Sequence, residues 1–270
     1  MNRIARMGAL LVAALAPLGA QAASFSLVSL RSDSTPPSIY TDGSNQPAIT
    51  SDGRYVAFIA DAPTLVTPAA TGAPYQVYLR DRVAGTTELI SATPSGLPGN
   101  ASSSLPSISD DGCKVAFMSF SSDLVAGDSN GAQDLFVRNR CVVTPATSLA
   151  SVSSAGNPAN AASYEGRIAA DGGRLVFTSY ATNLATVPGA GNACLFVREL
   201  AGQVTFAITA PSGACIAASS PDLSRDGTRV AFWAYYVPGT SSVTNSVWQI
   251  YLYDFNATAG SQPVVVSTSA

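Results

Sequence analysis

The segment that decides the fold is Pro47-Ala-Ile-Thr-Ser-Asp-Gly-Arg-Tyr-Val-Ala-Phe58, because closely similar phrases occur three more times in the chain. Their Asp-Gly pairs begin at residues 52, 111, 171 and 226, which gives steps of 59, 60 and 55 residues. Self-similarity at such a period indicates a repeat architecture. The later copies are Pro106-Ser-Ile-Ser-Asp-Asp-Gly-Cys-Lys-Val-Ala-Phe117, Arg167-Ile-Ala-Ala-Asp-Gly-Gly-Arg-Leu-Val-Phe177 and Pro221-Asp-Leu-Ser-Arg-Asp-Gly-Thr-Arg-Val-Ala-Phe232.

Each phrase predicts two strands, A and B, joined by a tight hairpin, because Asp-Gly supplies the positive φ angle that a short turn needs. A long loop then leads to a third strand, C, and a shorter link leads to a fourth, D. The predicted C strands are 76–80, 134–138, 194–198 and 249–253, and the predicted D strands are 87–91, 147–151, 204–208 and 264–267.

Four consecutive antiparallel strands in each repeat predict an all-β protein, a β-propeller built of four-stranded blades. The Val-Ala-Phe runs fit strands that are buried on both faces. A β-sandwich or barrel is the alternative, but it would not require the same phrase at the same place in every unit. The repeats span about 45–91, 104–152, 165–209 and 219–268.

An extra N-terminal strand is predicted because Phe25-Ser-Leu-Val-Ser29 is similar to the D strands. The chain then has five D strands for four A–B–C sets. Three alternatives stay open: a short closed ring, an open arc completed by a second copy of the chain, and a product cut short. An open end would leave apolar blade faces and strand edges in water, which favours self-association.

The first 22 residues have the pattern of a signal peptide. Arg3 and Arg6 form a positive start, residues 7–18 form an apolar stretch, and Ala20-Gln21-Ala22 is the small-x-small pattern of a cleavage site. We expect cleavage between Ala22 and Ala23 and a mature propeller domain, residues 23–270, that is periplasmic or secreted. The apolar stretch is too short to cross a bilayer, which takes about 20 residues, and no membrane span is predicted in the mature chain.

Four cysteines in an exported chain predict two disulfides. A–B and C–D links lie at one end of a blade, and B–C and D–A links lie at the other. Cys113 and Cys141 fall at the first end, whereas Cys194 and Cys215 fall at the second. A disulfide needs Cα atoms within about 7 Å, but a six-residue strand separates the two ends by about 20 Å. The predicted pairs are therefore Cys113–Cys141 and Cys194–Cys215.

The phrase Ser/Pro-x-Ile-Ser-x-Asp-Gly-x-x-Val-Ala-Phe, followed by a Phe/Tyr-Val/Leu-Arg-Asp strand, resembles the TolB-like, WD40-like β-propeller repeat family. The resemblance covers about residues 25–269. It implies the propeller fold and says almost nothing about a ligand. TolB-like propellers usually have six blades, and TolB itself has a preceding α/β domain, whereas this chain shows four phrases and no such domain.

The long loops are all predicted at one end of the blades, and long loops on a rigid scaffold are where binding residues concentrate. We therefore predict an exported, non-catalytic binding scaffold for an envelope or extracellular protein, peptide or glycan. The alternatives are a glycan-active enzyme that uses carboxylates at the propeller channel, and a structural module of a larger propeller assembly. The predicted B–C loops are about 60–74, 119–132, 179–192 and 234–246, and the D–A loops are about 92–105, 153–165 and 209–220.

The sequence contains no histidine, which excludes Ser-His-Asp and Cys-His catalysis and any histidine-ligated metal. No catalytic residue and no organic cofactor is predicted. The mature chain has 12 basic residues, 14 less Arg3 and Arg6, against 17 acidic ones, a formal charge of −5. It has no basic cluster with interleaved aromatic residues, so nucleic acid is not a predicted partner.

One acidic cluster suggests a metal. Asp128-Ser-Asn130-Gly131-Ala-Gln-Asp134 presents side-chain oxygens around a glycine turn, as calcium-binding loops do. The candidate calcium ligands are Asp128, Asn130 and Asp134. The alternative is a turn that Asp and Asn side chains hold by bonds to the backbone.

Overall fold

The computed structural model describes residues 26–35, 43–67, 69, 73–189, 191–210, 212–234, 248–257 and 263–267. The predicted signal peptide and its cleavage site at Ala22 and Ala23 lie outside these residues, as does most of the fourth B–C loop. Within the described ranges, no helix is long and apolar enough to cross a membrane.

The described residues form four antiparallel sheets of four strands, each in simple chain order. This topology confirms the predicted all-β propeller blades, which we number 1 to 4. A short 3-10 turn, Pro63–Leu65, follows β2. The strands are β1 Ser44–Ile49, β2 Tyr55–Ala60, β3 Gln76–Asp81, β4 Thr86–Leu89, β5 Ser103–Ile108, β6 Lys114–Ser119, β7 Asp134–Asn139, β8 Ala146–Leu149, β9 Ser163–Ile168, β10 Arg174–Ser179, β11 Cys194–Glu199, β12 Val204–Ala207, β13 Ala218–Leu223, β14 Arg229–Ala234, β15 Gln249–Asp254 and β16 Val264–Val265.

The first two D strands end two residues earlier than predicted. In blade 1 the backbone N–H groups of Ile90 and Ser91 both donate to the carbonyl of Val77, at 2.8 and 3.4 Å, so the regular ladder stops there. The Ser91 hydroxyl instead accepts from Val77 N at 2.9 Å. In blade 2, Ala150 and Ser151 share the carbonyl of Leu135 in the same way.

The Asp-Gly hairpins form as predicted, with the glycine as the positive-φ residue of each turn. Gly53 and Gly112 have φ angles of 71° and 70°, and the equivalent glycines of blades 3 and 4 both have 66°. The Gly53 N–H donates to the carbonyl of Thr50 at 2.8 Å. The Thr50 hydroxyl donates to the Asp52 carboxylate at 2.6 Å, which fixes the turn from inside.

Consecutive blades pack through two kinds of apolar face. The leading face of a blade packs on the next blade in the chain and in blade 1 consists of Ala57, Ile59, Val77, Leu79 and Ile90. It meets the trailing face of blade 2, which is centred on the stacked rings of Phe117 and Phe136. Blades 2 and 3, and blades 3 and 4, form equivalent clusters.

Residues 26–35 follow the path that the end of a D strand and the start of the D–A loop take in the other blades. The hydroxyl of Thr87 donates to the carbonyl of Leu30, as Thr147 donates to Ala92 at 3.1 Å and Thr205 donates to Val152 at 2.6 Å. The segment lies beside blade 1, but no strand is assigned among residues 26–35, so the predicted extra N-terminal strand is not formed in the part of it that the structure describes; Phe25 lies outside that part.

The hairpin tips of three blades meet at the centre of the short-loop end. Arg225 of blade 4 forms an ion pair with Asp110 of blade 2 at 2.7 Å, and donates to the Ser51 hydroxyl of blade 1 at 2.6 Å. The Ser51 N–H in turn donates to Asp110 at 3.1 Å. The innermost strands therefore surround a common axis.

Candidate functional site

The longest connections of the described chain lie at one end of the blades. The B–C loops cover residues 61–75, 120–133 and 180–193, and the D–A loops cover residues 90–102, 150–162 and 208–217. The A–B turns at the opposite end have only five residues between strands, for example 50–54. Loops of this length held by rigid sheets can form a recessed surface for a ligand.

A cleft of about 820 Å³ lies where the long loops of blade 1 meet the N-terminal segment. The N-terminal segment, the first B–C loop, strand β4 and the first D–A loop supply its walls, and Arg138 of blade 2 reaches it from the side. The lining residues are Arg31, Ser32, Asp33, Thr64, Leu65, Val66, Thr67, Ala69, Thr87, Glu88, Leu89, Ala92, Gly96, Leu97, Pro98 and Arg138.

Two polar atoms in the cleft wall are buried without a hydrogen-bond partner among the described residues. They are Nε of Arg31, in the N-terminal segment, and the hydroxyl of Thr64, in the first B–C loop. A buried donor that loses water without gaining a partner costs about 1–3 kcal/mol. Such atoms are rare in folded proteins, and a water molecule, an ion or a ligand group is the kind of partner that satisfies them.

The cleft holds two cations and two carboxylates, and Arg31 interacts electrostatically with Asp33, as Arg138 does with Glu88. Glu88 forms an ion pair with Arg140, outside the cleft lining. Asp33 accepts from the Thr35 hydroxyl and backbone N–H, which lowers the pKa of its carboxyl group. Within the described residues, neither Arg31 nor Arg138 is in an ion pair.

Arg138 is held in place by neutral acceptors. Its guanidinium donates to the Thr147 hydroxyl at 3.0 Å and to the Ala92 carbonyl at 3.3 Å. Burial lowers the pKa of this guanidinium, because removal from water disfavours the charged form. With Arg31, it supplies guanidinium donors for an oxygen-rich group, beside the carboxylates of Asp33 and Glu88.

The cleft itself was not predicted from the sequence. The sequence placed long loops at this end of the molecule, but gave no reason to prefer blade 1 over the others. The preference arises from residues 26–35, which pack beside blade 1 only. The one hint in the sequence was that residues 25–29 resemble a D strand. A segment packed beside blade 1 brings Arg31 next to the first B–C loop.

The predicted calcium ligands Asn130 and Asp134 lie together but contact each other by a hydrogen bond. The side-chain amide of Asn130 donates to Asp134 at 2.7 Å and to the carbonyl of Ala159 at 2.8 Å. The other carboxylate oxygen of Asp134 accepts from the Ser151 hydroxyl at 2.6 Å. Asp128 is near enough for its charge to raise the pKa of Asp134 further.

A calcium ion at Asp128, Asn130 and Asp134 stays a prediction. In this geometry the amide nitrogen of Asn130 faces Asp134, so calcium ligation by its oxygen requires the amide to turn over. Calcium binding predicts that a chelator lowers the melting temperature of the wild type and leaves that of Asp128→Ala unchanged. An equal response of both proteins in a thermal scan would reject the site.

The two disulfides join Cys113 to Cys141 and Cys194 to Cys215, with Cα–Cα distances of 5.1 and 5.4 Å. These are the pairs expected from the strand ends. The second disulfide ties the start of a C strand to the following D–A loop. In blade 1 the side chain of Gln76 makes the same connection, by donating to the carbonyls of Gly99 and Ala101.

Comparisons with known proteins found similarity to solved structures only. No protein-family model and no curated protein matches it. TolB from Acinetobacter baumannii is 19% identical over 83% of this chain and 43% of that chain, with a TM-score of 0.48. A putative TolB from Agrobacterium tumefaciens is 14% identical over 83% and 80%, with a TM-score of 0.45. An oligogalacturonate lyase in complex with manganese is 15% identical over 78% and 50%, with a TM-score of 0.47.

The fold of this chain is established by its own sheet topology, four sheets of four antiparallel strands. This chain spans less than half the length of the Acinetobacter protein. The matches include a lyase as well as TolB, and at these identities neither a ligand nor a reaction carries over to this chain.

Proposed function

We propose that this chain is an exported, non-catalytic scaffold that binds an extended peptide segment in the cleft beside blade 1, with an oxyanion of the peptide at Arg31. The observation that carries the proposal is the pair of buried, unpartnered polar atoms, Arg31 Nε and Thr64 Oγ1, in one cleft. A ligand oxygen that accepts a hydrogen bond from either atom would offset the desolvation cost of that atom. A carboxylate is the group that best matches an arginine.

Strand β4 supports a peptide over the other ligand classes. It is an edge strand of its sheet, and Thr87 to Leu89 line the cleft. Edge strands present unpaired backbone groups, and an extended peptide can add to them. The Ser32 hydroxyl occupies this edge at Thr87, where it bonds both backbone groups at 3.1 and 3.3 Å. The ligand would therefore pair nearer to Leu89.

The apolar part of the cleft supports the same ligand class. Leu65, Val66, Leu97 and Pro98 contribute to the lining, and they offer contacts for alternate side chains of an extended segment. Ligand sites typically combine such apolar walls with a few placed polar groups.

Export is part of the proposal. The two disulfides are typical of proteins that fold in an oxidising compartment, either the periplasm or the exterior. Catalysis is not part of it. The sequence has no histidine, and two carboxylates of the innermost strands and their turns hold the blades together. Glu165 accepts from Ser220 N at 2.6 Å, and Asp110 pairs with Arg225.

Binding of acidic peptides tests the function. We expect the mature chain to bind members of a fluorescent hexapeptide pool with free C-terminal carboxylates, measured by fluorescence polarisation. The variant Arg31→Gln should raise the Kd at least about tenfold, because a charge-assisted hydrogen bond contributes about 1.5–3 kcal/mol. Thr64→Val should weaken binding less.

The melting temperature of each variant distinguishes a loss of peptide binding from misfolding. Because Arg31 Nε has no partner in the free protein, Arg31→Gln should leave the melting temperature unchanged or higher. The control is Arg82→Gln at the short-loop end of the same blade, where Arg82 bonds the carbonyl of Gly53 at 2.8 Å. If Arg31→Gln and Arg82→Gln bind the peptides equally well, the cleft is not the binding site.

A further inference from the structure

The leading face of blade 4 is apolar, and no described residue covers it. It consists of Ala231, Trp233, Ile250, Leu252 and Val266, which occupy the positions of Ala57, Ile59, Val77, Leu79 and Ile90 in blade 1. The blade 1 residues are at most 5% exposed because blade 2 covers them. Trp233, Ile250 and Val266 are 41%, 42% and 56% exposed. The face therefore has the composition of a blade interface.

Trp248 enlarges this surface. Its ring lies against that of Trp233, with 4.4 Å between the ring centroids, and it is 45% exposed. Val264, on the same side of the sheet, is 65% exposed. The nearby charges are neutralised, because Arg229 forms an ion pair with Asp254 at 2.9 Å. Tryptophan is enriched among residues that anchor protein interfaces, and exposed apolar patches of this kind mark interaction sites.

The complementary face of the chain is already occupied. The trailing face of blade 1, around Phe58 and Tyr78, packs with Val28 of the N-terminal segment and Leu65 of the first B–C loop. Phe58 and Tyr78 are 4% and 1% exposed. A second copy thus offers no open trailing face to the leading face of blade 4. Among the described residues, the open apolar blade face that it does offer is its own leading face of blade 4.

We propose that this face binds the same face of a second copy, in a dimer with two-fold symmetry. Two-fold dimers are the commonest oligomers, and they bring one surface against itself. Two sheets can pack face to face about 10 Å apart with their side chains interdigitated. In the dimer, Trp233 and Trp248 of each copy contact the apolar residues around Ile250 of the other. This proposal is independent of the peptide cleft, which lies on blade 1.

The dimer is tested by sedimentation velocity on the mature chain at concentrations from about 1 to about 100 µM, a range of two decades that covers a Kd in the micromolar range. We expect a concentration-dependent change from monomer to dimer. Trp233 and Trp248 are the two tryptophans of the chain, so tryptophan fluorescence reports on this face alone. Its emission should move to shorter wavelength as the dimer forms, because both rings leave water.

Substitutions locate the interface. Trp233→Ser and Ile250→Ser should each raise the dimer Kd at least about tenfold, as expected for anchors at the centre of an interface. The matched control is Val143→Ser, a fully exposed apolar residue of blade 2 outside the face, which should leave the Kd unchanged. Far-ultraviolet circular dichroism establishes that each variant is folded.

Three outcomes would overturn the proposal. They are a monomer at every concentration with unchanged tryptophan emission, a dimer that persists in both folded variants, and a dimer that Val143→Ser weakens as much as Trp233→Ser. The result that supports the proposal is loss of the dimer in Trp233→Ser and in Ile250→Ser while Val143→Ser still forms it.

Discussion

Replacing Gly112 by alanine is expected to lower the free energy of unfolding by about 3 kcal/mol, whereas Gly53→Ala should cost only about 1–2 kcal/mol. The two glycines occupy the same turn position in blades 2 and 1, with φ angles of 70° and 71°. A residue with a Cβ pays about 1–2 kcal/mol for this left-handed backbone, which both variants share. The difference must therefore come from the surroundings.

Gly112 lies against the ring of Tyr55, which belongs to the preceding blade. A Cβ at Gly112 would be 2.3 Å from Cδ2 of Tyr55 and 2.5 Å from Cε2, far inside contact distance. A Cβ at Gly53 would meet its nearest atom at 3.6 Å, which is ordinary contact. Overpacking of this kind typically costs 1–3 kcal/mol in addition.

The Tyr55 ring has little freedom to move away. The guanidinium of Arg54 lies 4.6 Å from the ring centroid and that of Arg140 lies 5.1 Å from it. Arg140 also donates to the carbonyl of Gly112 at 3.0 Å, so the ring, the cation and the turn form one joint between blades 1 and 2.

Urea unfolding of four proteins checks this prediction: Gly112→Ala and Gly53→Ala, each with Tyr55 and with Tyr55→Ala. The excess cost at Gly112 should disappear when the ring is removed. Equal costs for the two glycine variants in the presence of Tyr55 would contradict the joint.

The joint shows where sequence reasoning succeeds and where it stops. The Asp-Gly turns are local, since a positive-φ glycine forms each of them and a Thr or Ser hydroxyl bonds the Asp in blades 1, 2 and 4, and the sequence predicts all four. The contact between Tyr55 and Gly112 joins different repeats, and the repeat phrase gives the same glycine at every turn. Only the packing of successive blades distinguishes Gly112 from Gly53.

The innermost strands give a second example. Gln46, Leu105, Glu165 and Ser220 all have positive φ angles, between 48° and 55°, where each A strand bulges before a proline or glycine. Nothing in the alternation of apolar residues predicts this conformation for such side chains. The bulges place Gln46 where it accepts from the backbone N–H of Leu105 at 2.7 Å, which links neighbouring blades.

The candidate sites were partly predictable for the same reason. In the 128–134 cluster the structure brings Asn130 and Asp134 together, but the spacing does not tell which of the two groups donates. Blades 1, 2 and 3 fasten the start of strand C with Gln76, with Asp134 and Asn130, and with Cys194, respectively. The common role of these three different residues is visible only when the blades are superimposed through their register.

The last prediction concerns Asp134, whose burial should make the protein less stable as the pH rises from 4 to 7. Asp134 is fully buried, and no described cation pairs with it. Burial raises the pKa of its carboxyl group to about 6 from the model-peptide value of 3.8, although Ser151 and Asn130 donate to it. Between pH 3.8 and about pH 6, the carboxyl group of Asp134 holds a proton in the folded state that it has lost in the unfolded state.

This difference in bound protons determines whether the stability of the folded state rises or falls with pH. The stability associated with the neutral carboxyl group is fully present below pH 3.8 and is lost as the pH rises through about 6. A difference of about two pKa units corresponds to about 2–3 kcal/mol. Asp81, whose pKa the bonds from Arg54 lower to about 2, acts in the opposite direction and in a separate window, below about pH 4.

Asp134→Asn removes the titrating group and keeps a side chain of the same shape. The amide can turn its oxygen to Asn130 and its NH₂ to Ser151, and Gln76 shows that a neutral amide is accommodated at this position in blade 1. We expect the variant and the wild type to have similar unfolding free energies at pH 4. At pH 7 the variant should be more stable by about 2–3 kcal/mol.

Urea unfolding at pH 4, 5, 6 and 7 measures this difference, and taking the variant minus the wild type cancels the other titrating groups. Asp81→Asn is the control, since it should alter the pH dependence only in the acid range below pH 4. A difference between Asp134→Asn and the wild type that stays constant from pH 4 to 7 would mean that Asp134 titrates alike in the folded and unfolded chains. Its carboxylate would then not be held away from water between Asn130 and Ser151.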